Sequence, residues 1–413
     1  MLELLFVSLF FAMNKKWEVT LNFLILMLLY LLLIFCDKGE YLMKSILTLL
    51  SLWLVSMMLL SVSKEEKKLL LKGMFIFMLW SLQVSFYADS LLLFYIGFEM
   101  SILPVLLIIL GWGYQPDRLE AGFYMVLYTV FFSLPLLLMI LNSFLVSFVG
   151  SELVFWLYFM AFLVKVPLFG VHLWLPRAHV EAPVYGSMIL AGVMLKLGGY
   201  GIFRVILIND DTFIFDSIGL ISFSLVGGVI LSFICFVQSD MKMLIAYSSI
   251  VHMSLVLSGL FTLCSSGLTG VLSMMVGHGF CSSGLFCLLG VFYSRIHSRS
   301  LYINKGLIVN FSISTLWWFL FCSSNLSFPP SLNLVGEILL MLSLVSWFTG
   351  IFVVLCLLNF FSSMYSIYLY SFCQHGSGVV IYSFKNLTMK ELMLALFHWL
   401  PLNLLILDLS MMQ

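Results

Sequence analysis

From Met243 to Ser294 the chain carries no Asp, Glu, Lys or Arg at all. No water-facing surface is built from such a stretch, but two consecutive membrane-spanning helices are, at about 20 apolar residues each. The pattern continues elsewhere with brief interruptions: 63% of residues are hydrophobic, 9% are charged, and mean hydropathy is +1.15. A soluble domain runs near a quarter charged, so the chain reads as an integral membrane protein. Lipid offers backbone groups no hydrogen-bond partner, and the long apolar runs predict an all-α polytopic fold. The 19 basic and 19 acidic residues cancel, which leaves no electrostatic footprint for nucleic acid. Helices of this length fill the 413 residues and leave no room for a soluble module.

Polar punctuation predicts about 14 transmembrane helices, near residues 1–12, 21–36, 41–62, 69–87, 88–112, 120–149, 151–173, 182–208, 215–237, 241–262, 267–294, 306–349, 350–372 and 390–410. The first two are short. Segment 306–349 is too long for one ordinary span and reads as one helix interrupted at Pro329 and Pro330. Segment 151–173 is interrupted in the same way at Pro167 and Gly170. Such a pair of broken segments points to a transporter of inverted repeats with its site near mid-membrane; the plainer reading is two kinks without function. Fourteen basic residues, among them Lys15, Lys16, Lys64–Lys72, Arg118, Arg177, Lys242, Arg295, Arg299, Lys305, Lys385 and Lys390, flank odd-numbered loops, against three, Lys38, Lys44 and Arg204, on even ones. By the positive-inside rule the odd loops face the cytoplasm or matrix and both termini lie opposite.

Four formal charges fall deep within spans: Glu99, Lys165, Lys196 and Glu337. The charge-free stretch adds His252 and His278. Ionisable groups at membrane depth face a bundle interior, pair with one another and mark proton or ion routes. Each also has a structural reading, as a static pair for Glu99, a packing anchor for Lys196 and satisfied core residues for the two histidines. His172 and His179 straddle Pro176, which makes a polar lining at the membrane edge more fitting than a metal site. The eight cysteines form no CxxC pair, so disulfide, zinc, iron–sulfur and haem readings are weak and neither a metal nor a cofactor site is expected. "LGGYG" (Leu197–Gly201) follows no strand and is no dinucleotide loop. The absence of a cleavable presequence suggests synthesis and insertion in one compartment.

A lysine in a span has a definite use. Desolvation loosens its hold on a proton and a carboxylate brought close restores it. A swing of about 3 units is about 4 kcal/mol, which matches about 4 kcal/mol for lifting one proton across roughly 170 mV. Glu99 moving towards or away from Lys165 would switch that lysine between loading and release. Pro167, by opening the helix, would supply free backbone groups that hold water and permit the motion.

Four blocks carry a resemblance: "GWGYQPDRLEAG" (Gly111–Gly122), "KVPLFGVHLWLPRAHVEAPVYGSMILAGVMLKLGGYG" (Lys165–Gly201), "QSDMKMLIAYSSIVHM" (Gln238–Met253) and "HGFCSSGLFCL" (His278–Leu288). They resemble the antiporter-like membrane subunits of mitochondrial NADH:ubiquinone oxidoreductase, respiratory complex I, and the WGxQP block resembles the chain 4 branch. The likeness spans about Leu82 to Tyr370 and departs at Ser294 and Tyr114. It implies a fourteen-helix subunit with two inverted five-helix repeats, divided as 1–68, 69–208, 209–372 and 373–413. It implies Glu99 and Lys165 as a coupled pair, Lys196 as central relay and Glu337 as exit carboxylate. His172, His179, His252 and His278 would line a hydrated axis, and Pro167, Pro329 and Pro330 would break the helices. It further implies proton translocation in the mitochondrial inner membrane, with termini on the intermembrane-space side. NADH, FMN, iron–sulfur clusters and ubiquinone would lie elsewhere in the complex, and partners would include sister chains 2 and 5 and lipids. The rival readings are a cation/proton antiporter subunit and a structural membrane scaffold.

Overall fold

The structure, a computed structural model, describes residues 16–38, 42–143, 152–207, 214–310, 312–376 and 387–409. Among them every regular element is helical. The first crossings are α1 (Trp17–Lys38), α2 (Leu42–Ser61), α3 (Leu69–Tyr87), and α4 (Leu91–Met100) continued by α5 (Ile102–Trp112). α6 (Arg118–Ser143) precedes a broken crossing, α7 (Glu152–Lys165) and α8 (Trp174–Glu181). α9 (Val184–Ile189) runs through a π turn at Leu190–Met194 into α10 (Leu195–Ile206), followed by α11 (Ile214–Val237), α12 (Met241–Phe261) and α13 (Ser265–Ile296). A short turn, α14 (Leu307–Asn310), leads to the second broken crossing, α15 (Ser312–Asn325) and α16 (Leu332–Trp347); α17 (Phe352–Gln374) and α18 (Met389–Leu404) complete the bundle.

Among the described residues eleven helices are long and apolar enough to cross a membrane, and the two broken crossings join them. The predicted segment 1–12, with Lys15 and Lys385, lies outside the described residues. α1 begins four residues earlier than its hydropathy suggests, at Trp17. The predicted span 88–112 is interrupted at Ser101: Pro104 has no N–H for the carbonyl of Met100 and its ring crowds that carbonyl, so the helix restarts at Ile102.

The charge-free stretch does not face lipid. Of the most apolar windows of α12 and α13, 94% is buried inside the protein, against 22% for α18 and 28% for α1. A helix apolar on all sides is a core helix, and these two form the centre on which α9–α10, α11, α16 and α17 pack. The approach of α16 to α13 depends on Gly336, where a Cβ would stand 2.8 Å from the backbone nitrogen of Met274. Gly336→Ala is therefore expected to push the helices apart, cost about 1–3 kcal/mol and lower the thermal unfolding midpoint. Gly219, with nothing within 4 Å of a Cβ, is the matched control, and its alanine variant should hold or slightly raise the midpoint, since alanine favours the helix.

Charges gather at the two ends of the bundle. At one end Arg295 pairs with Glu391 at 2.7 Å, Lys390 donates to the carbonyl of Val62 at 2.7 Å, and Arg299 donates to Gln115 at 3.0 Å and Val180 at 2.8 Å. Arg177 pairs there with Glu120. At the other end Lys44 pairs with Asp89 at 2.9 Å, and Arg204 donates to the carbonyls of Ala88 and Asp89. Odd-loop and even-loop cations thus separate as the loop count requires. Lys242 differs from a loop cation in being buried: it caps α8 by donating to Val180 and Ala182 at 3.2 and 2.9 Å.

Candidate functional site

Lys165 is the last residue of α7 and is buried. Its Nζ lies 4.4 Å from the centre of the Phe98 ring, with the Glu99 carboxylate within electrostatic reach. Among the described residues no direct ion pair joins the two. Glu99 is half-buried at the end of α4, beside Ser133, and its Oε1 has no hydrogen-bond partner. The α4–α5 interruption, at Ser101, falls two residues beyond it.

At the break beyond Lys165 two backbone carbonyls are met by protein donors. Pro167 brings no N–H, so the N–H of Leu168 reaches back five residues to the carbonyl of Leu163 at 2.9 Å. The next carbonyl, of Val164, accepts the indole N–H of Trp174 at 3.0 Å. Those two carbonyls thus each have a donor within the protein. Gly170 takes a left-handed turn, φ +95°, that a side chain would strain.

The second break repeats this bonding. The N–H of Phe328 reaches five residues back to Ser323 at 3.0 Å, and the next carbonyl, of Ser324, accepts the Asn333 amide at 2.9 Å. Superposing these patterns sets Asn325 where the first break has Lys165. Pro329 and Pro330 occupy the exposed part of the second linker.

Lys196 lies between the breaks and is fully buried on α10. Its stem follows the π turn, which loosens the helical ladder, and its Nζ donates to the carbonyl of Ala191. The same Nζ is 3.0 Å from His278 Nδ1. Glycines permit this meeting: a Cβ on Gly279 would stand 3.1 Å from the Gly192 carbonyl. Gly198, two residues past Lys196, leaves room for the Lys165 stem, a Cβ there falling 3.0 Å from Lys165 Cβ. The two lysines thus sit on packed segments.

From His278 the line continues inward. The rings of His278 and His252 are 5.7 Å apart between centres, and His252 Nδ1 is 3.4 Å from Glu337 Oε1. That last contact attracts but is not aligned as a hydrogen bond. On its other nitrogen, Nε2, His252 meets the Tyr365 hydroxyl at 3.1 Å. Lys196, His278, His252 and Glu337 form one buried line across α10, α13, α12 and α16.

His172 and His179 are not links of that line. His172 Nδ1 accepts the N–H of Gly170 at 3.2 Å and stacks on Phe169, which fixes the turn of the first break. His179 is fully buried, not at a membrane edge; it stacks on Phe286 at 4.7 Å, and neither ring nitrogen has a partner. Lys196 and Lys242 both act on it electrostatically. Among the described residues no three His, Cys, Asp or Glu side chains converge as a metal site. Sequence reasoning missed Trp174, Asn333, Tyr365 and the π turn. Only Trp174, close beyond a proline break, carries any local signal.

A family model described as "NADH:quinone oxidoreductase/Mrp antiporter, TM" matches residues 88–363. A protein of Ceratitis capitata named NADH-ubiquinone oxidoreductase chain 4 is 48% identical over 379 residues, 87% of this chain and 84% of that one. A namesake from Aedes aegypti is 51% identical over 327 residues, 76% of this chain and 73% of that one. Among solved structures, a chain of respiratory complex I from Thermus thermophilus superposes with TM-score 0.88 at 23% identity, covering 97% of this chain and 94% of that one. A chain of the Mrp complex from Dietzia sp. DQ12-45-1b gives TM-score 0.76 at 20% identity over 87% of this chain and 42% of that one.

Proposed function

This chain belongs to the NADH:quinone oxidoreductase/Mrp antiporter family of membrane subunits, and we propose that it is the proton-translocating subunit of the chain 4 kind in NADH:ubiquinone oxidoreductase. The observation that carries the reading is the buried line from Lys196 through His278 and His252 to Glu337. Titratable groups at this depth are costly and are retained for proton or ion passage. Identity near one half over most of the length favours complex I over a cation/proton antiporter, whose solved relative shares the fold at 20% identity.

In this reading Lys165 loads a proton while Glu99 is close and yields it when Glu99 withdraws. In this order of events loading of Lys196 follows release from Lys165. Lys196 passes its proton to His278 Nδ1, His278 releases its Nε2 proton to His252, and His252 delivers its Nδ1 proton to Glu337, the exit carboxylate. His172 and His179 border the path at the first break. The repeats divide near 69–208 and 209–372, flanked by 1–68 and 373–413; the shared bonding of the two breaks supports that division. The chain works in the mitochondrial inner membrane with both termini on the intermembrane-space side. Sister chains 2 and 5, other membrane-arm subunits and lipids surround it. NADH, FMN, iron–sulfur clusters and ubiquinone act elsewhere in the complex, so the energy arrives through contacts.

Two measurements test this. In a native membrane preparation the chain is expected to migrate with flavin and iron–sulfur subunits; migration with cation/proton antiporter subunits alone would refute the assignment. Impermeant labels on cysteines placed at Lys64 and Arg299 are expected to react from one side, the matrix. Reaction of the Lys64 site from the intermembrane side would overturn the orientation.

A further inference from the structure

We propose that Tyr365 is a positioning residue that sets the tautomer of neutral His252 and so keeps its ring proton on the nitrogen that faces Glu337. This deepens the relay reading above and rests on it. Tyr365 lies on α17, outside both broken crossings, and is fully buried. Its hydroxyl is 3.1 Å from His252 Nε2, which is its one hydrogen-bond partner among the described residues, and the rings meet edge-on at 6.4 Å. A buried O–H left without an acceptor is costly, so the phenol donates to Nε2. Neutral imidazole has one N–H, and that places the His252 proton on Nδ1, the nitrogen 3.4 Å from Glu337 Oε1.

The opposite tautomer fails twice. With the proton on Nε2 the phenol hydrogen would lose its acceptor, and a bare Nδ1 lone pair would face a carboxylate oxygen. His278 has the reverse assignment, because its Nδ1 faces the Lys196 ammonium and its own proton then sits on Nε2. The hydroxyl of Tyr365 thus decides which His252 nitrogen serves the exit carboxylate, without itself touching Glu337.

The test uses the assembled complex in sealed vesicles with four forms: native, Tyr365→Phe, His252→Gln and the double variant. Tyr365→Phe removes one oxygen and is expected to lower proton pumping about tenfold, the scale seen when the group orienting a functional histidine is lost. In the His252→Gln background the same change is expected to have no further effect. A packing role would give equal losses in both backgrounds, and that result, or full pumping by Tyr365→Phe with His252→Gln defective, overturns the proposal alone. Full pumping by His252→Gln overturns the relay through His252 and this proposal with it. Tyr365→Leu, which also lacks the hydroxyl, takes the place of the Phe variant should that one fail to assemble.

Discussion

Replacing Lys165 with Ala is expected to lower proton-coupled ubiquinone reduction by roughly a hundredfold, the lower end of what a positioned proton-transfer group contributes. Electron transfer from NADH to an artificial acceptor should continue, since that chemistry is placed in other subunits. The local reason is that α7 ends at Lys165 with no other titratable side chain on its last turn. Across the gap, Glu99 reaches the lysine only electrostatically, so no neighbour substitutes for it. Glu99→Gln should give a smaller loss of the same kind, because the lysine remains but its switch is gone. Both rates are measured on the assembled complex, with abundance checked first.

Lys196→Ala is expected to be at least as severe in pumping. It removes the donor to His278 Nδ1 and leaves the Ala191 carbonyl of the π turn without the ammonium. The cost has two parts: a missing link in the relay, and a buried acceptor that loses its partner at about 1–3 kcal/mol. Lys196→Met separates them, since it fills the space without restoring a proton. Normal abundance with pumping lost is the outcome a relay requires. Normal pumping in the Met variant would reduce Lys196 to an anchor.

Much of this arrangement was legible in the chain. Charge inside a span is so costly that Glu99, Lys165, Lys196 and Glu337 stood out by position alone, and all four lie at least partly buried within the bundle. Pro167 and the Pro329–Pro330 pair marked the two breaks because proline cannot donate to a helical ladder. What stayed hidden is what periodicity does not encode. One carbonyl at each break accepts from a side chain nine or ten residues away, Trp174 or Asn333, and Tyr365 reaches His252 from 113 residues further on. Hydropathy also cannot distinguish a lipid-facing helix from one buried in protein, so the Met243–Ser294 stretch gave its class but not its central place. Lys242 misled in the other direction: by position it flanks a loop, yet its ammonium caps α8 from within.

Lys165 as carrier or as anchor is the question on which the mechanism turns, and Lys165→Arg separates the two. Arginine keeps the positive charge and the attraction to Glu99 but does not release its proton in a protein. The measurement is proton pumping by the assembled Lys165→Arg complex in sealed vesicles, per NADH oxidised with ubiquinone as acceptor. Pumping close to the Lys165→Ala level is the expected result. Pumping at the native level would contradict it and make Lys165 a fixed counter-charge for Glu99.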